Sequence, residues 1–153
     1  MLPYQSHHLI AQSPNWAFHD FELRAKQIAT ELQTRQVRAI SLWLEDGANL
    51  ACVLLGAWLV NVRVLFPSND TPESVAWANE NADLWITDRA GFNQPNSVMF
   101  AEFGQSAYLQ NDLKNQPLFD EYNQTEIWLK TSGSTGEAKT IIKTARQLWL
   151  GAL

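Results

Sequence analysis

The sequence of 153 residues predicts an α/β fold in which a parallel β-sheet is built from βαβ crossovers. Short segments at 37–44, 61–66 and 84–87 are apolar and rich in β-branched and aromatic residues, as strands are. Segments of helical length separate them, and parallel pairing requires such connections. Turn-forming residues follow the first two segments. We therefore expect the three strands to lie parallel in one sheet.

The first helix is predicted to precede these strands. Apolar residues recur with helical spacing after Phe21, at Ala25, Ile28, Ala29 and Leu32. Asp20 is placed to cap this helix. The helix then leads into the strand at 37–44.

The most apolar part of the chain, residues 48–66, contains Asn49, Asn61 and Arg63. Its uninterrupted portion, 50–60, is shorter than the about 20 residues that a membrane span needs. We therefore predict a helix at 50–59 that packs on the sheet, and no membrane span. Cys52 lies inside it and is predicted to be a small core residue rather than a nucleophile.

The next crossover has a clear start signal. Thr71 followed by Pro72 is typical of an N-cap and a first helical position, and the helix is predicted to run to residue 81. The strand at 84–87 follows it. Between 88 and 124 the periodicity is weak, apart from a strand-like segment at 97–103. Acidic residues around the third strand (Glu80, Asp83 and Asp88) are interpreted as a solvated face.

Composition excludes several classes of protein. Eleven Lys and Arg against 16 Asp and Glu, a formal net charge of −5, argue against a nucleic-acid partner. A single cysteine excludes an internal disulfide, and the first ten residues lack the pattern of a signal peptide, so a cytoplasmic location is expected. His7 and His8 are interpreted as solvated terminal residues, and no metal site is predicted in the chain.

One segment, residues 131–139, has a strong chemical signature. Glycine permits backbone conformations in which N–H groups surround an anion, hydroxyls add hydrogen-bond donors, and lysine adds a positive charge. A hydroxyl-rich surface turn is the alternative, but such turns rarely combine this hydroxyl density with a trailing lysine. The predicted phosphate-binding residues are Thr131, Ser132, Gly133, Ser134, Thr135, Gly136 and Lys139.

The segment is not a Walker A loop. Ala138 stands where that pattern requires glycine. A Walker A loop also opens directly into a helix, whereas the β-branched run at 140–144 predicts a strand.

The order Thr-Ser-Gly-Ser-Thr-Gly-x-x-Lys after a hydrophobic strand resembles the phosphate loop of AMP-forming adenylating enzymes, which include acyl-CoA synthetases, peptide-synthetase adenylation domains and luciferases. The predicted elements upstream resemble the front part of that family's large N-terminal domain. The chain departs from the family pattern at Ala138, where proline is usual, and at Thr140, where glycine is usual. Lys143 and Thr144 stand where the family often has Thr-His or Ser-His, so no role is assigned there.

The resemblance implies that residues 1–153 are the N-terminal portion of an AMP-forming acid–thiol ligase, a truncated domain. In that family a carboxylic acid and ATP give an acyl-adenylate, and the thiol of CoA or of a carrier protein then takes the acyl group. The loop would hold the β- and γ-phosphates of ATP, with Mg²⁺ sharing their charge. The family's catalytic groups lie downstream of this loop, so no catalytic residue is assigned within the chain. A non-catalytic nucleotide- or partner-binding remnant of such a ligase is the alternative.

Residues 145–153 predict the start of an apolar helix containing Leu148, Trp149, Leu150 and Leu153. An uncovered apolar surface of this kind usually finds a partner, so self-association or a docked neighbouring chain is expected.

Overall fold

The computed structural model describes residues 9–12, 15–131 and 139–151. Among the sequence predictions, His7, His8, Leu153 and most of the phosphate loop (132–138) lie outside these residues. The elements are β1 (Leu9–Gln12), β2 (Asn15–Ala17), α1 (Phe18–Thr34), β3 (Ala39–Trp43), α2 (Gly47–Leu59), β4 (Arg63–Phe66), α3 (Pro72–Asn81), β5 (Leu84–Thr87), β6 (Ser97–Met99), α4 (Asn111–Asn115), β7 (Glu126–Lys130), β8 (Thr140–Thr144) and α5 (Ala145–Gly151).

The main sheet has six strands in the order β6-β5-β3-β4-β7-β8. Strand β3 pairs in parallel with both β4 and β5, β7 pairs in parallel with β4, and β6 pairs in parallel with β5. Strand β8 is antiparallel to β7. The predicted parallel arrangement of the first three strands and the predicted α/β class are confirmed.

Helix α2 includes the predicted segment 50–59 but begins three residues earlier, at Gly47. The carboxylate of Asp46 caps it by accepting hydrogen bonds from the backbone N–H groups of Ala48 and Asn49, at 2.8 and 3.0 Å. The helix packs closely against α1 at Gly56, where a Cβ atom would lie 2.6 Å from the carbonyl oxygen of Ala25. No described helix has the length and apolar character to cross a bilayer.

Helix α1 corrects one prediction. It begins at Phe18 with Ala17 as N-cap residue and has no side-chain cap, so the prediction that Asp20 caps it is wrong. Strand β2 leads directly into the helix, so Ala17 is the last extended residue. Asp20 therefore lies within the first turn, where a carboxylate favours the positive end of the helix dipole. The predicted apolar face is confirmed, because Phe21, Ala25, Ile28, Ala29 and Leu32 are buried.

The strand predicted at 84–87 is confirmed with the same bounds, and those predicted at 37–44 and 61–66 are confirmed with shorter ones. The segment 61–66 forms a strand only from Arg63, because Asn61 adopts a left-handed conformation (φ 58°) beyond the end of α2. The segment 97–103 forms a strand only over Ser97–Met99. Helix α3 begins at Pro72 with the Thr71 hydroxyl as its cap, as predicted.

The hydrophobic core lies between the sheet and the pair α1 and α2, and fully buried side chains of each contribute to it. Its fully buried members in the strands include Ile40, Val64 and Ile86, and those in the helices include Ile28, Leu32 and Val53.

Candidate functional site

The candidate site lies at the carboxyl ends of the parallel strands. Since β3, β4, β5 and β7 run in the same direction, their carboxyl ends meet at one edge of the sheet. Open α/β sheets bind ligands at this edge. The predicted phosphate loop follows β7 directly and therefore starts there.

The base of the loop is closed by Thr131 and Lys139. The backbone N–H of Thr131 donates to the carbonyl oxygen of Lys139 at 2.9 Å. The backbone N–H of Lys139 donates to the Thr131 hydroxyl at 3.1 Å, and this hydroxyl lies 3.2 Å from the Lys139 carbonyl oxygen. Hydrogen bonds thus connect the first and last predicted site residues. The Thr131 hydroxyl takes part in these bonds and therefore helps to close the loop.

The other predicted residues, Ser132, Gly133, Ser134, Thr135 and Gly136, lie outside the described part of the chain, so their contacts remain predictions. Strands flank the loop on both sides, as predicted.

Lys139 is exposed and forms no salt bridge with any described residue. Its ammonium group can therefore bind an anion without first breaking an ion pair to another described residue.

Helix α3 contacts the hairpin next to the loop base. The indole N–H of Trp77 donates to the Thr140 hydroxyl at 3.0 Å. The ammonium of Lys130 lies 5.8 Å from the centroid of the Trp77 ring. Sequence analysis missed this contact; the unusual Thr140 in the loop motif was the available signal.

A second polar cluster occupies β4 and β7. The Arg63 guanidinium lies 4.2 Å from the centroid of the Trp128 ring, and its Nε is 3.2 Å from Oε1 of Glu126. The indole N–H of Trp128 donates to the same carboxylate oxygen at 2.9 Å. The charges of this cluster are satisfied internally, which indicates a structural role.

Two carboxylates fasten β5 to β3. Asp83 accepts hydrogen bonds from the backbone N–H groups of Arg38 and Ala39, at 2.8 and 3.2 Å. At the carboxyl edge, Asp88 accepts from the N–H groups of Glu45 and Asp46, at 3.0 and 3.1 Å. Asp83 and Glu80 are exposed, as a solvated face requires, whereas Asp88 is partly buried. The hydrogen bonds give Asp83 and Asp88 a structural role that the interpretation as a solvated face did not include.

The hydrogen bonds to Asp88 also affect its ionisation. Burial opposes the charged form, but the bonds from Glu45 and Asp46, with a third from the Asn49 amide at 3.1 Å, outweigh it. Together they hold the pKa of the Asp88 carboxyl below its usual value.

Two clefts of about 270 and 320 Å³ open at this edge, and Trp43 and Arg89 line both. Trp43 stacks on Phe92, with ring centroids 6.2 Å apart, and is half-buried. Nε of Arg89 lies 3.1 Å from Oε1 of Glu45. The clefts therefore present an aromatic wall and a paired cation.

Cys52 is buried, and burial raises the pKa of its thiol to about 12. A thiolate is thus disfavoured at neutral pH, which confirms the prediction of a core residue rather than a nucleophile.

The second strand of the hairpin and the last helix expose apolar side chains. Ile141, Ile142, Leu148 and Leu150 are between 38% and 50% exposed. The expected apolar surface at Leu148 and Leu150 is thereby confirmed, while self-association stays a prediction.

No protein-family model matches the sequence, and no curated protein matches it significantly. Solved structures do share the fold. A structure of o-succinylbenzoate coenzyme A synthetase (MenE) from Bacillus subtilis, in complex with AMP, has a TM-score of 0.73 at 15% identity and aligns with 97% of this chain. A second MenE structure, in complex with ATP and magnesium ion, has a TM-score of 0.67 at 14% identity; the match covers 90% of this chain and 39% of that chain. The N-terminal subdomain of NpsA from Klebsiella oxytoca has a TM-score of 0.61 at 16% identity, over 85% of this chain and 35% of that one.

These matches confirm the predicted fold, that of the front part of the large N-terminal domain of AMP-forming ligases. At such low identity the likeness concerns the fold. The chain spans about two fifths of the MenE chain, of which the first match covers 41%.

Proposed function

We propose that residues 131–139 bind the phosphates of ATP, and that the chain belongs to the AMP-forming acid–thiol ligases as their N-terminal portion. One observation carries the proposal: a loop with this hydroxyl, glycine and lysine motif is closed by Thr131 and Lys139 at the carboxyl end of a parallel strand. The MenE-like fold supports the same conclusion.

In the proposed reaction of the whole protein, a carboxylate oxygen of the acid attacks the α-phosphorus of ATP. The bond from this phosphorus to the bridging oxygen breaks, and pyrophosphate leaves with the electron pair. The sulfur of CoA or of a carrier-protein thiol then attacks the acyl carbon, AMP leaves, and the thiol proton is released. The acid and the acceptor belong to the proposal at the level of these chemical classes.

The loop's own contribution is electrostatic. Backbone N–H groups at Gly133 and Gly136 and the hydroxyls of Ser132, Ser134 and Thr135 would hold the β- and γ-phosphates. Lys139 would stabilise the negative charge that accumulates on departing pyrophosphate. Such contacts would fix the leaving group in line with the attacking oxygen.

Magnesium, when bound, would share the phosphate charge. The described residues contain no cluster of three or more His, Cys, Asp or Glu side chains. In this proposal the ion is carried by the nucleotide's phosphates, and no residue of the chain is assigned to it. A cytoplasmic location, which supplies ATP and a reducing medium, is part of the same proposal.

The decisive test is MgATP binding to the full-length protein that contains residues 1–153, measured by isothermal titration calorimetry. Lys139→Ala should weaken binding about tenfold or more, because a hydrogen bond to a charged group is lost. Lys143→Ala is the matched control, since Lys143 is also exposed and lies on β8, four residues further along the chain. Binding that is absent in the wild type, or weakened equally by both substitutions, would remove the loop from nucleotide recognition.

A further inference from the structure

The hairpin formed by β7 and β8 is attached to the rest of the sheet along one strand. Strand β7 pairs with β4, whereas β8 pairs with β7 and has no second partner strand among the described residues. Ile142 on β8 is 50% exposed. Strand pairing therefore supports Lys139, which immediately precedes β8, only through β7.

Trp77 supplies a second attachment next to the loop. Its indole N–H bonds to Thr140 on β8 at 3.0 Å, and its ring lies against the ammonium of Lys130 on β7, 5.8 Å from ring centroid to Nζ. Lys130 and Thr140 are directly opposite each other in the hairpin. One side chain thus contacts both strands at the pair Lys130 and Thr140, which is adjacent to the pair Thr131 and Lys139 that closes the loop.

The helix that carries Trp77 is firmly held. At its start, the Ser74 hydroxyl donates to Oδ1 of Asn69 at 2.7 Å, and the Thr71 hydroxyl accepts from the Ser74 N–H at 3.4 Å. Ser74 and Ala78 are buried, and α3 packs against β3 and β4. The contact therefore couples the loop base to the rigid centre of the fold.

The acceptor of this bond is a departure from the loop pattern that the chain resembles. That pattern has glycine at the position of Thr140, and glycine offers no side-chain acceptor. The bond from Trp77 therefore depends on a hydroxyl that the glycine usual at this position would not supply.

We infer that Trp77 is a positioning residue: through Thr140 it fixes the base of the 131–139 loop and so determines where Lys139 stands relative to a bound triphosphate. The part of this inference that concerns the triphosphate rests on the proposed function. The part that concerns the loop base does not.

The test compares substitutions that delete the hydrogen bond with little change in shape. Trp77→Phe keeps a ring over Lys130 but removes the N–H, and Thr140→Val removes the hydroxyl. Each should weaken MgATP binding measurably and by at most about tenfold, because binding must then order a loop base that this hydrogen bond no longer holds. The double variant should bind no more weakly than either single variant, and Thr140→Ser should bind as the wild type does.

Asn79→Ala is the matched control. Asn79 is an exposed residue of the same helix and accepts the indole hydrogen bond of Trp85 at 2.8 Å, away from the hairpin. This variant should bind MgATP with wild-type affinity. Wild-type affinity in both Trp77→Phe and Thr140→Val, or equal weakening by Asn79→Ala, would overturn the inference.

Amide hydrogen exchange separates the two claims. Exchange at Thr131 and Lys139, followed by NMR without nucleotide, should be faster in Trp77→Phe and Thr140→Val and unchanged in Asn79→Ala. If the wild type does not bind MgATP, the proposed function fails and exchange alone decides the anchoring. Unchanged exchange in both hairpin variants would then refute it.

Discussion

In the parallel centre of the sheet, β3, β4 and β5 are buried on both faces, whereas β8 at the edge of the same sheet is open to solvent. Ile40 on β3 has no exposed surface, while Ile142 on β8 is 50% exposed. The parallel strands are covered by helices, as βαβ connections require. Burial of apolar area therefore stabilises the centre much more than it stabilises the hairpin.

The two regions also differ in how their strand ends are held. In the centre, Asp83 and Asp88 each accept hydrogen bonds from two backbone N–H groups at the ends of β3. At the hairpin, one bond from Trp77 to Thr140 links β8 to the neighbouring helix. The residues that specify the fold and those proposed to bind phosphate are therefore largely separate, and the two sets can be tested independently.

The largest expected effect contrasts equivalent truncations in the two regions. Ile40→Ala should lower the free energy of unfolding by about 2–5 kcal/mol, since it leaves a cavity among fully buried side chains. Ile142→Ala should lower it by less than about 1 kcal/mol, because half of that side chain is already in water. Urea unfolding followed by circular dichroism measures both. Similar losses for the two variants would contradict the division between centre and hairpin.

Much of the centre could be predicted from the sequence, because its signals are local. The apolar runs, the Thr71-Pro72 start of α3 and the helix-length connections each depend on neighbouring residues. The predicted bounds of helices and strands were wrong where contacts with residues distant in the sequence determine them. Asp20 was predicted as a cap because of its side chain, but strand β2 determines where α1 begins. Strands β1 and β2 are three to four residues long and helix α4 is five, too short for a periodic signal.

The candidate site could be predicted only in part, for the same reason. The motif at 131–139 is local and specific, so the sequence indicated the loop and its flanking strands. Trp77 and Thr140 are 63 residues apart, and Glu45 and Asp88 are 43 apart. No spacing rule relates such pairs, since the sheet topology brings them together.

A smaller effect is expected at Asp88, where the centre depends on a charge. Asp88→Asn should lower the free energy of unfolding at pH 7 by about 1 kcal/mol, because the amide accepts the backbone hydrogen bonds less well than the carboxylate. The pKa of Asp88 is lowered from 3.8 on folding, so its stabilisation is present above that pH and is lost as the pH falls through the folded value. The difference between wild type and variant should therefore shrink as the pH falls below 3.8.

Urea titrations at a series of pH values measure this difference. Asp70→Asn is the control, since Asp70 is exposed at the same edge of the sheet and should change stability by less than about 0.5 kcal/mol. A constant difference between wild type and Asp88→Asn down to the lowest pH would show that Asp88 acts through shape rather than charge.

The smallest expected effect on stability, but a clear one on association, concerns the apolar surface of β8 and α5. Leu150 is 47% exposed, so Leu150→Glu should change the free energy of unfolding by less than about 0.5 kcal/mol. An open strand edge beside exposed Ile142 and Leu150 favours pairing with a second copy. Sedimentation velocity should therefore show the wild-type chain shifting to dimers as its concentration rises, and Leu150→Glu remaining a monomer over the same range.

Tyr108→Glu serves as control, because Tyr108 is 83% exposed on a loop outside this surface and should leave association unchanged. If the wild type stays monomeric throughout, or if Tyr108→Glu disrupts dimers as strongly as Leu150→Glu does, the apolar surface of β8 and α5 does not mediate self-association.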